Sequence, residues 1–128
     1  MYLDTDVILG LVKGEDWLKK HIDISKLRPA KTSSITIIEA RIVLEREYSR
    51  EEAIELLEKV KSLKVEIIAV DKEVIEKSQM LLKKYERLNN FDAIHAACAI
   101  VNNETLISTD TVYPRIEELD SKDPRKIG

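Results

Sequence analysis

The sequence contains few cysteine, glycine, proline and phenylalanine residues. Its 128 residues include one cysteine, three glycines, three prolines and one phenylalanine. A single cysteine excludes a disulfide within the chain, and so few turn-forming residues argue against a fold of many tight hairpins. No apolar run reaches the length that spans a bilayer, and no basic segment followed by an apolar run opens the chain. We therefore expect a soluble, cytoplasmic protein.

Positive charge is also lacking. The formal net charge is -3 at pH 7, and the isoelectric point lies near 5.5. A protein that grips nucleic acid over a broad surface needs clustered lysine and arginine to neutralise phosphates. Any nucleic acid would therefore bind this chain at a local site.

The apolar content is sufficient for an ordinary core. Hydrophobic residues make up 44% of the chain, so residues 1–128 can form a single domain without disulfides or a structural metal. Short apolar runs typical of strands alternate with segments of helical spacing. This order predicts an α/β fold in which a central, mostly parallel sheet carries helices on both faces.

The individual elements can be predicted with approximate limits. Strands are expected at residues 1–3, 31–34, 65–70 and 105–108, and the tail after residue 114 is less regular. Six helices are expected: one capped by Asp6 and ending at Gly14, one over 15–22, one over 35–48 with Thr36 as a possible cap, one over 49–62 with a capping box, one after Asp71 to about residue 85, and one over 91–101.

Two acidic residues follow apolar strand segments. Asp4 comes after the first predicted strand, and Asp110 comes after the strand at 105–108. The carboxyl ends of parallel strands meet at one edge of a sheet, which is where such sheets bind ligands. We therefore expect Asp4 and Asp110 to share this edge.

Two further acids reach the same edge through helices. Glu39 lies in the first turn of the helix that follows the strand at 31–34, and such a helix begins at the carboxyl edge. Asp92 opens the helix that returns the chain to the strand at 105–108, so this helix also begins there. Each acid alone could be an ordinary helix-end or turn residue. The predicted topology nevertheless places Asp4, Glu39, Asp92 and Asp110 at the same edge of the sheet.

A cluster of four carboxylates calls for a cation. Without one, the groups would repel one another and raise one another's pKa values. Carboxylate oxygens without a Cys or His cluster favour Mg²⁺ or Mn²⁺ over Zn²⁺, and such a metal can activate water for phosphodiester hydrolysis. We therefore predict that the catalytic, metal-binding residues are Asp4, Glu39, Asp92 and Asp110.

Four short motifs together resemble the PIN-domain family of ribonucleases. They are YLDTD at residues 2–6, SITIIE at 34–39, FDAIHAA at 91–97 and STD at 108–110. Each motif is common by itself, but the ordered set spans nearly the whole chain and is specific. The resemblance implies a PIN-like three-layer fold, Mg²⁺ or Mn²⁺ held by the four acids, and endoribonuclease activity.

The resemblance also implies partners. Small single-domain members of this family are commonly the toxin half of VapBC toxin-antitoxin pairs, held inactive by a small antitoxin protein and often dimeric. We therefore expect a VapC-like toxin with RNA as its substrate, a small antitoxin as its partner and a homodimer as its assembly.

The chain departs from the family pattern at two positions. Asp6 stands where many members have Ser, Thr or Asn, and Val112 stands where a number of them have a further acid. The valine weakens any expectation of two tightly held metals. Asp6 could compensate as a fifth metal ligand acting through water, although capping a helix is the alternative role for it.

Two residue types are candidates for binding the substrate. Arg41 is the basic side chain that we favour for contacting RNA phosphates. Thr109 is the second candidate, because its hydroxyl could bond a carboxylate or water beside Asp110. The other basic residues near the predicted edge in sequence are Lys13, Arg46 and Arg115.

His95 is left out of the predicted site. It lies one turn after Asp92 and could act as a general base. A lone histidine in an alanine-rich helix is more often a hydrogen-bonded, partly buried group, and we prefer that interpretation.

Two other functions remain open. The Asp4-x-Asp6 pattern after a strand also resembles the start of haloacid-dehalogenase-type phosphatases, in which the first aspartate is the nucleophile. The remaining motifs of that class are weak in this sequence. A PIN-like module that binds a partner without catalysis is the third possibility, since Val112 replaces an acid.

Overall fold

The computed structural model describes residues 1–13 and 17–127 and contains one five-stranded sheet within them. The order of the strands is β3-β2-β1-β4-β5, and all four neighbouring pairs are parallel. The expected parallel α/β sheet is therefore confirmed. The strands are β1 Tyr2–Leu3, β2 Lys31–Ser33, β3 Glu66–Ile68, β4 Leu106–Ile107 and β5 Ser121–Lys122.

Helices connect the strands and cover the sheet. The described residues include five α-helices: α1 Thr5–Val12, α2 Ser34–Glu47, α3 Arg50–Ser62, α4 Lys72–Lys84 and α5 Asn90–Val101. They also include four short 3₁₀-helices: Trp17–His21, Ile24–Leu27, Tyr113–Arg115 and Pro124–Lys126. None of the helices in the described ranges is long and apolar enough to cross a membrane.

The core has two halves, one on each face of the sheet. Successive strand residues point to opposite faces, so Tyr2 and Leu106 pack on one side while Leu3 and Ile107 pack on the other. The first half contains apolar residues of α4 and α5, and the second contains apolar residues of α1 and α3. This arrangement confirms the three-layer fold.

Two helices begin earlier than the sequence predicts. Asp6 was expected to cap α1, but Asp4 is the N-cap, and its carboxylate accepts a hydrogen bond from the backbone N–H of Thr5. Ser33, rather than Thr36, precedes the first residue of α2, and Thr36 is buried. Both strands are so short that the chain turns into a helix directly at the carboxyl edge.

The region after α1 also differs from expectation. The helix predicted over 15–22 falls partly outside the described residues. Within them, Trp17–His21 form a 3₁₀-helix rather than an α-helix.

The two edge strands were the hardest to predict. β3 covers only Glu66–Ile68 of the predicted 65–70 segment. β5 was not expected at all, because Ser121 and Lys122 have no apolar pattern. Edge strands have one neighbour and are less buried, so they need less apolar sequence than central strands.

Side chains cap the helices that carry the site and its neighbours. The capping box expected at Ser49 is partly present, since its hydroxyl accepts from the N–H of Glu52 while the Glu52 carboxylate accepts from that hydroxyl. The predicted cap at Asp71 is confirmed, and it accepts from the N–H of Val74.

Replacement of Asp71 by alanine is expected to destabilise the protein by about 1 kcal/mol, because the N–H of Val74 loses its side-chain acceptor. Thermal melting of Asp71→Ala measures this effect. Glu55→Ala, at an exposed position inside α3, is the control and should change stability by less than about 0.5 kcal/mol. Equal melting temperatures for the two variants would contradict the assigned cap.

Candidate metal centre

Asp4 is a buried carboxylate at the carboxyl end of β1. Its side chain is held by two bonds: Oδ1 accepts from the N–H of Thr5 at 2.8 Å, and Oδ2 accepts from the hydroxyl of Ser108 at 2.7 Å. Only 7% of the residue is exposed, and this burial raises the pKa of the carboxyl to about 6, with the charge of Asp6 adding to the shift. A buried anion of this kind is well placed to bind a cation.

Glu39 approaches Asp4 from α2. It is the sixth residue of that helix and so lies in its second turn, not in the first as expected, because α2 begins at Ser34. Its Oε1 accepts from the Thr5 hydroxyl and from Nε2 of His95, the latter at 2.8 Å. Burial alone would raise the pKa of Glu39, but these two hydrogen bonds lower it below its ordinary value.

His95, which was left out of the predicted site, lies beside Asp4 and Glu39. The residue is only 1% exposed, and its Nε2 lies 2.8 Å from Glu39 Oε1 and 3.4 Å from Asp4 Oδ1. Its Nδ1 lies 2.7 Å from the hydroxyl of Tyr2. The predicted hydrogen-bonded character is confirmed, although the side chain is fully rather than partly buried.

The partners of His95 define its protonation pattern. An ionised Glu39 can only accept, so Nε2 carries a proton, and in the neutral ring Nδ1 accepts from the Tyr2 hydroxyl. Burial raises the pKa of Tyr2, which keeps this hydroxyl a donor. Burial would lower the pKa of His95, but Glu39 and Asp4 outweigh that effect and raise it.

Asp92 is the third residue of α5 and belongs to its capping box. Asn89 Oδ1 accepts from the N–H of Asp92, and the Asp92 carboxylate accepts from the N–H of Asn89. The pKa of Asp92 is raised by its partial burial and by the nearby charges of Asp110 and Glu39. Asp92 therefore lies within electrostatic range of the other acids.

Asp110 lies in the turn that follows β4. Its N–H donates to the hydroxyl of Ser108, and its Oδ1 accepts from the N–H of Val112. Tyr113 lies nearby and is buried, which raises the pKa of its hydroxyl. The negative charges of Asp4, Asp92 and Asp110 raise that pKa further. Asp4, Asp92 and Asp110 therefore all lie within electrostatic range of Tyr113.

Asp6 and Thr109 form a pair beside this region. Both the N–H and the hydroxyl of Thr109 donate to Asp6 Oδ2, at 2.9 and 2.6 Å. Asp6 is not the cap of α1, and its negative charge acts on Asp4. Contact of Thr109 with a substrate stays a prediction, since the structure directs its donors to Asp6.

The predicted basic residue does not join the cluster. Arg41 is exposed on α2 and stands two residues after Glu39, about 200° around the helix axis. Contact between Arg41 and RNA therefore also stays a prediction. Lys13 pairs with Glu47 at 2.8 Å, while Arg46 and Arg115 are exposed.

The donor atoms fit a hard divalent cation. One ligand atom each from Asp4, Glu39 and His95 lies within 4.8 Å of the other two, and the charges of Asp92 and Asp110 act on the same region. Carboxylate oxygens dominate this set, which suits Mg²⁺ or Mn²⁺. The Nε2 proton of His95 points to the carboxylates. In this geometry the ring orients Glu39 by a hydrogen bond and does not itself coordinate the metal.

Sequence reasoning missed Thr5, Ser108 and His95. His95 did offer a signal, because it stands three residues after Asp92 and so shares its helix face. Thr5 and Ser108 each adjoin a predicted strand end. Their hydroxyls could not be assigned partners without the fold.

Comparison with known proteins identifies a shared domain. A family model described as "PIN domain" matches residues 1–119 of the chain. No curated protein sequence gives a significant match.

Several solved structures share the fold at low sequence identity. VapBC2 from Rickettsia felis, bound to a DNA fragment from its promoter, is 20% identical with a TM-score of 0.77, over 95% of this chain and 96% of that one. VapBC-1 from nontypeable Haemophilus influenzae is 22% identical with a TM-score of 0.77, over 98% of both chains. VapC20 from Mycobacterium tuberculosis, a toxin that cleaves the sarcin-ricin loop, is 18% identical with a TM-score of 0.71, over 87% of this chain and 90% of that one.

Proposed function

The chain belongs to the PIN-domain family, and from this membership and the geometry of its acids we propose a Mg²⁺- or Mn²⁺-dependent endoribonuclease that acts as the toxin of a toxin-antitoxin pair. The observation that carries the proposal is geometric: one possible ligand atom each from the buried Asp4, the partly buried Glu39 and the buried His95 lies within 4.8 Å of the other two. A solved structure of the same fold, described as a sarcin-ricin loop cleaving toxin, supports it.

Four acids of the chain would hold the metal. They are Asp4, Glu39, Asp92 and Asp110, with Asp6 placed to act through water. When bound, the cation supplies Lewis acidity that polarises the phosphodiester and makes water a better nucleophile. The acids would also be the catalytic residues, because they would hold the cation that acts on the phosphodiester.

The neighbouring side chains position these acids. Ser108 and the N–H of Thr5 fix the two oxygens of Asp4, while His95 fixes Glu39. Groups that orient metal ligands in this way restrict their rotation and so reduce the cost of binding the cation. Thr109 holds Asp6 in the same manner.

RNA is the proposed substrate, and the cleavage assay is the direct test. Purified protein is expected to cleave single-stranded RNA with Mg²⁺ or Mn²⁺, to stop in EDTA and to resume when the metal is restored. Gel analysis of end-labelled RNA measures this. Equal cleavage with and without the chelator would refute the metal mechanism, and metal binding without cleavage of any RNA would favour the non-catalytic module.

The phosphatase alternative receives little support from the geometry. A nucleophilic aspartate must approach phosphorus with a free oxygen. Both oxygens of Asp4 already accept hydrogen bonds inside the protein, and the residue is buried. A trapped aspartyl-phosphate analogue on Asp4 would nevertheless favour that reading.

The proposal includes two protein partners. Structures of relatives described as VapBC complexes support a small antitoxin as one of them. A second copy of the chain is the other, which light scattering of the purified protein would detect. A location in the cytoplasm stays a prediction.

A further inference from the structure

A second feature lies next to the acids. A cleft of about 310 Å³ opens between the segment that joins α4 to α5 and the 3₁₀-helix Tyr113–Arg115. It is lined by residues 84–88 on one side and by Val112, Arg115 and Ile116 on the other. Its volume falls at the small end of the range for ligand pockets, about 300–1,000 Å³.

Two residues that line the cleft lie close to proposed metal ligands. The N–H of Val112 donates to Asp110 Oδ1 at 3.0 Å. On the opposite wall, Leu88 directly precedes Asn89, whose side chain caps α5 together with Asp92. A polymeric substrate that reached the metal centre between Asp92 and Asp110 would therefore place its next residue in this cleft.

The charges of the cleft favour a polyanion. Arg87 and Arg115 are exposed, and neither guanidinium group makes a hydrogen bond or ion pair with any residue in the described ranges 1–13 and 17–127. Lys84 also lines the cleft, but its charge is paired with Glu117 and Glu118. Glu86 is the one carboxylate in the lining. Free guanidinium groups are strong, bidentate phosphate ligands.

The larger cleft on the other side of Asp110 lacks this excess of positive charge. It measures about 360 Å³ and is lined by the residues that follow β4, by β5 and by the segment after β5. Its lining contains Lys122 and Lys126 but also Asp110 and Asp123, so its charges balance. It offers a matched control for the first cleft.

The apolar part of the first cleft suits a base. Leu88 and Ile116 are almost completely buried, and Val112 is half-buried beside them. Single-stranded RNA places its unstacked bases on apolar or aromatic surfaces, next to arginine side chains that hold the backbone. An acid at position 112 would put a carboxylate there, so the valine of this chain keeps the surface apolar.

We propose that this cleft binds the base of a nucleotide adjoining the scissile phosphodiester of single-stranded RNA, with Arg87 and Arg115 contacting the neighbouring phosphates. The proposal rests on the ribonuclease function proposed above and adds a specific substrate-binding surface to it. A protein partner is the alternative occupant, and the experiment below separates the two.

The first test compares two double variants in RNA binding. Arg87→Gln/Arg115→Gln removes the charges of the proposed cleft, and Lys122→Gln/Lys126→Gln removes the same charge from the other one. Fluorescence anisotropy with a single-stranded RNA in EDTA gives the Kd at several salt concentrations. The arginine variant should bind at least about tenfold more weakly, and its slope of log Kd against log salt should fall by about 1.4, the value for two lost phosphate contacts.

The second test asks whether a base occupies the cleft. The wild-type protein should bind ordinary RNA more tightly than an abasic oligonucleotide of equal length. Val112→Asp should reduce that preference by about fivefold or more, because the base loses its apolar surface. Melting of Val112→Asp confirms that the variant is folded.

The outcomes separate this proposal from the ribonuclease proposal. If the arginine variant binds RNA as well as the wild type, or loses no more than the lysine variant, the cleft proposal is overturned and a protein partner becomes its occupant. Arginine-dependent binding without metal-supported cleavage would retain the cleft and refute the ribonuclease. Metal-supported cleavage with no effect of the arginine substitutions on RNA binding would retain the ribonuclease and refute the cleft.

Discussion

Asp4→Asn is expected to lose more than about a hundredfold in RNA cleavage while the metal-free protein becomes more stable. The loss should exceed the 10- to 100-fold found when a group that only orients a metal ligand is removed, because Asp4 is proposed to bind the cation itself. Asparagine keeps an oxygen that can accept from the N–H of Thr5, so the cap of α1 is retained. Activity and stability should therefore move in opposite directions.

The stability gain has a defined pH dependence. Burial raises the pKa of Asp4 from 3.8 to about 6, so in the metal-free protein the folded state binds this proton more tightly than the unfolded chain does. The ionised carboxylate costs stability above about pH 6, and the cost disappears as the pH falls below 3.8. Because asparagine carries no charge, its advantage should approach about 3 kcal/mol at pH 8 and vanish near pH 4.

Thermal melting in EDTA at these two pH values, beside cleavage rates in Mn²⁺, measures both effects. Glu55→Gln, at an exposed position on α3, is the control and should change neither quantity. Full activity of Asp4→Asn, or unfolding of the variant without metal, would contradict the role assigned to Asp4.

Replacement of His95 should weaken metal binding in a way that depends on which ring nitrogen is lost. Glutamine can place an amide N–H near the position of Nε2 and so continue to donate to Glu39. Asparagine reaches only the position of Nδ1, where its oxygen can accept from Tyr2, and leaves Glu39 without this donor. His95→Asn should therefore weaken Mn²⁺ binding by about 10- to 100-fold, whereas His95→Gln should retain most of the affinity.

Calorimetric titration with Mn²⁺ measures the affinity, and melting in EDTA reports the structural cost of each change. A merely structural role would make both variants lose stability and metal affinity together. Equal Mn²⁺ affinities for the two variants would refute the positioning of Glu39 by Nε2.

The position of the four acids could be predicted from the sequence because it follows from topology. Asp4 and Asp110 stand just after short apolar runs, and parallel strands bring such positions to one edge. Glu39 and Asp92 follow because their helices must begin there. The placement at this edge needs only the order of elements, so errors of one or two residues in their limits do not alter it. That all four acids form one site stays a prediction.

The side-chain network around these acids could not be predicted. His95 contacts Glu39 and Tyr2, which are 56 and 93 positions away in the sequence, and local patterns do not encode such pairs. The buried face of α5 was also not predicted: Phe91 is 37% exposed, while Ala93 and Ala96 are buried. Small residues on that face let α5 pack closely, which a pattern based on large apolar residues overlooks.

The proposal that Asp4, Glu39, Asp92 and Asp110 bind one divalent cation can be tested without an activity assay. Anomalous diffraction from crystals grown with Mn²⁺ tests it most directly, because the peak locates the metal independently of any activity. We expect a peak between the four carboxylates, with an oxygen of Asp4 at about 2.0–2.3 Å, and its loss in Asp4→Asn crystals. A peak that contacts none of the four acids, or that remains unchanged in Asp4→Asn, would contradict it.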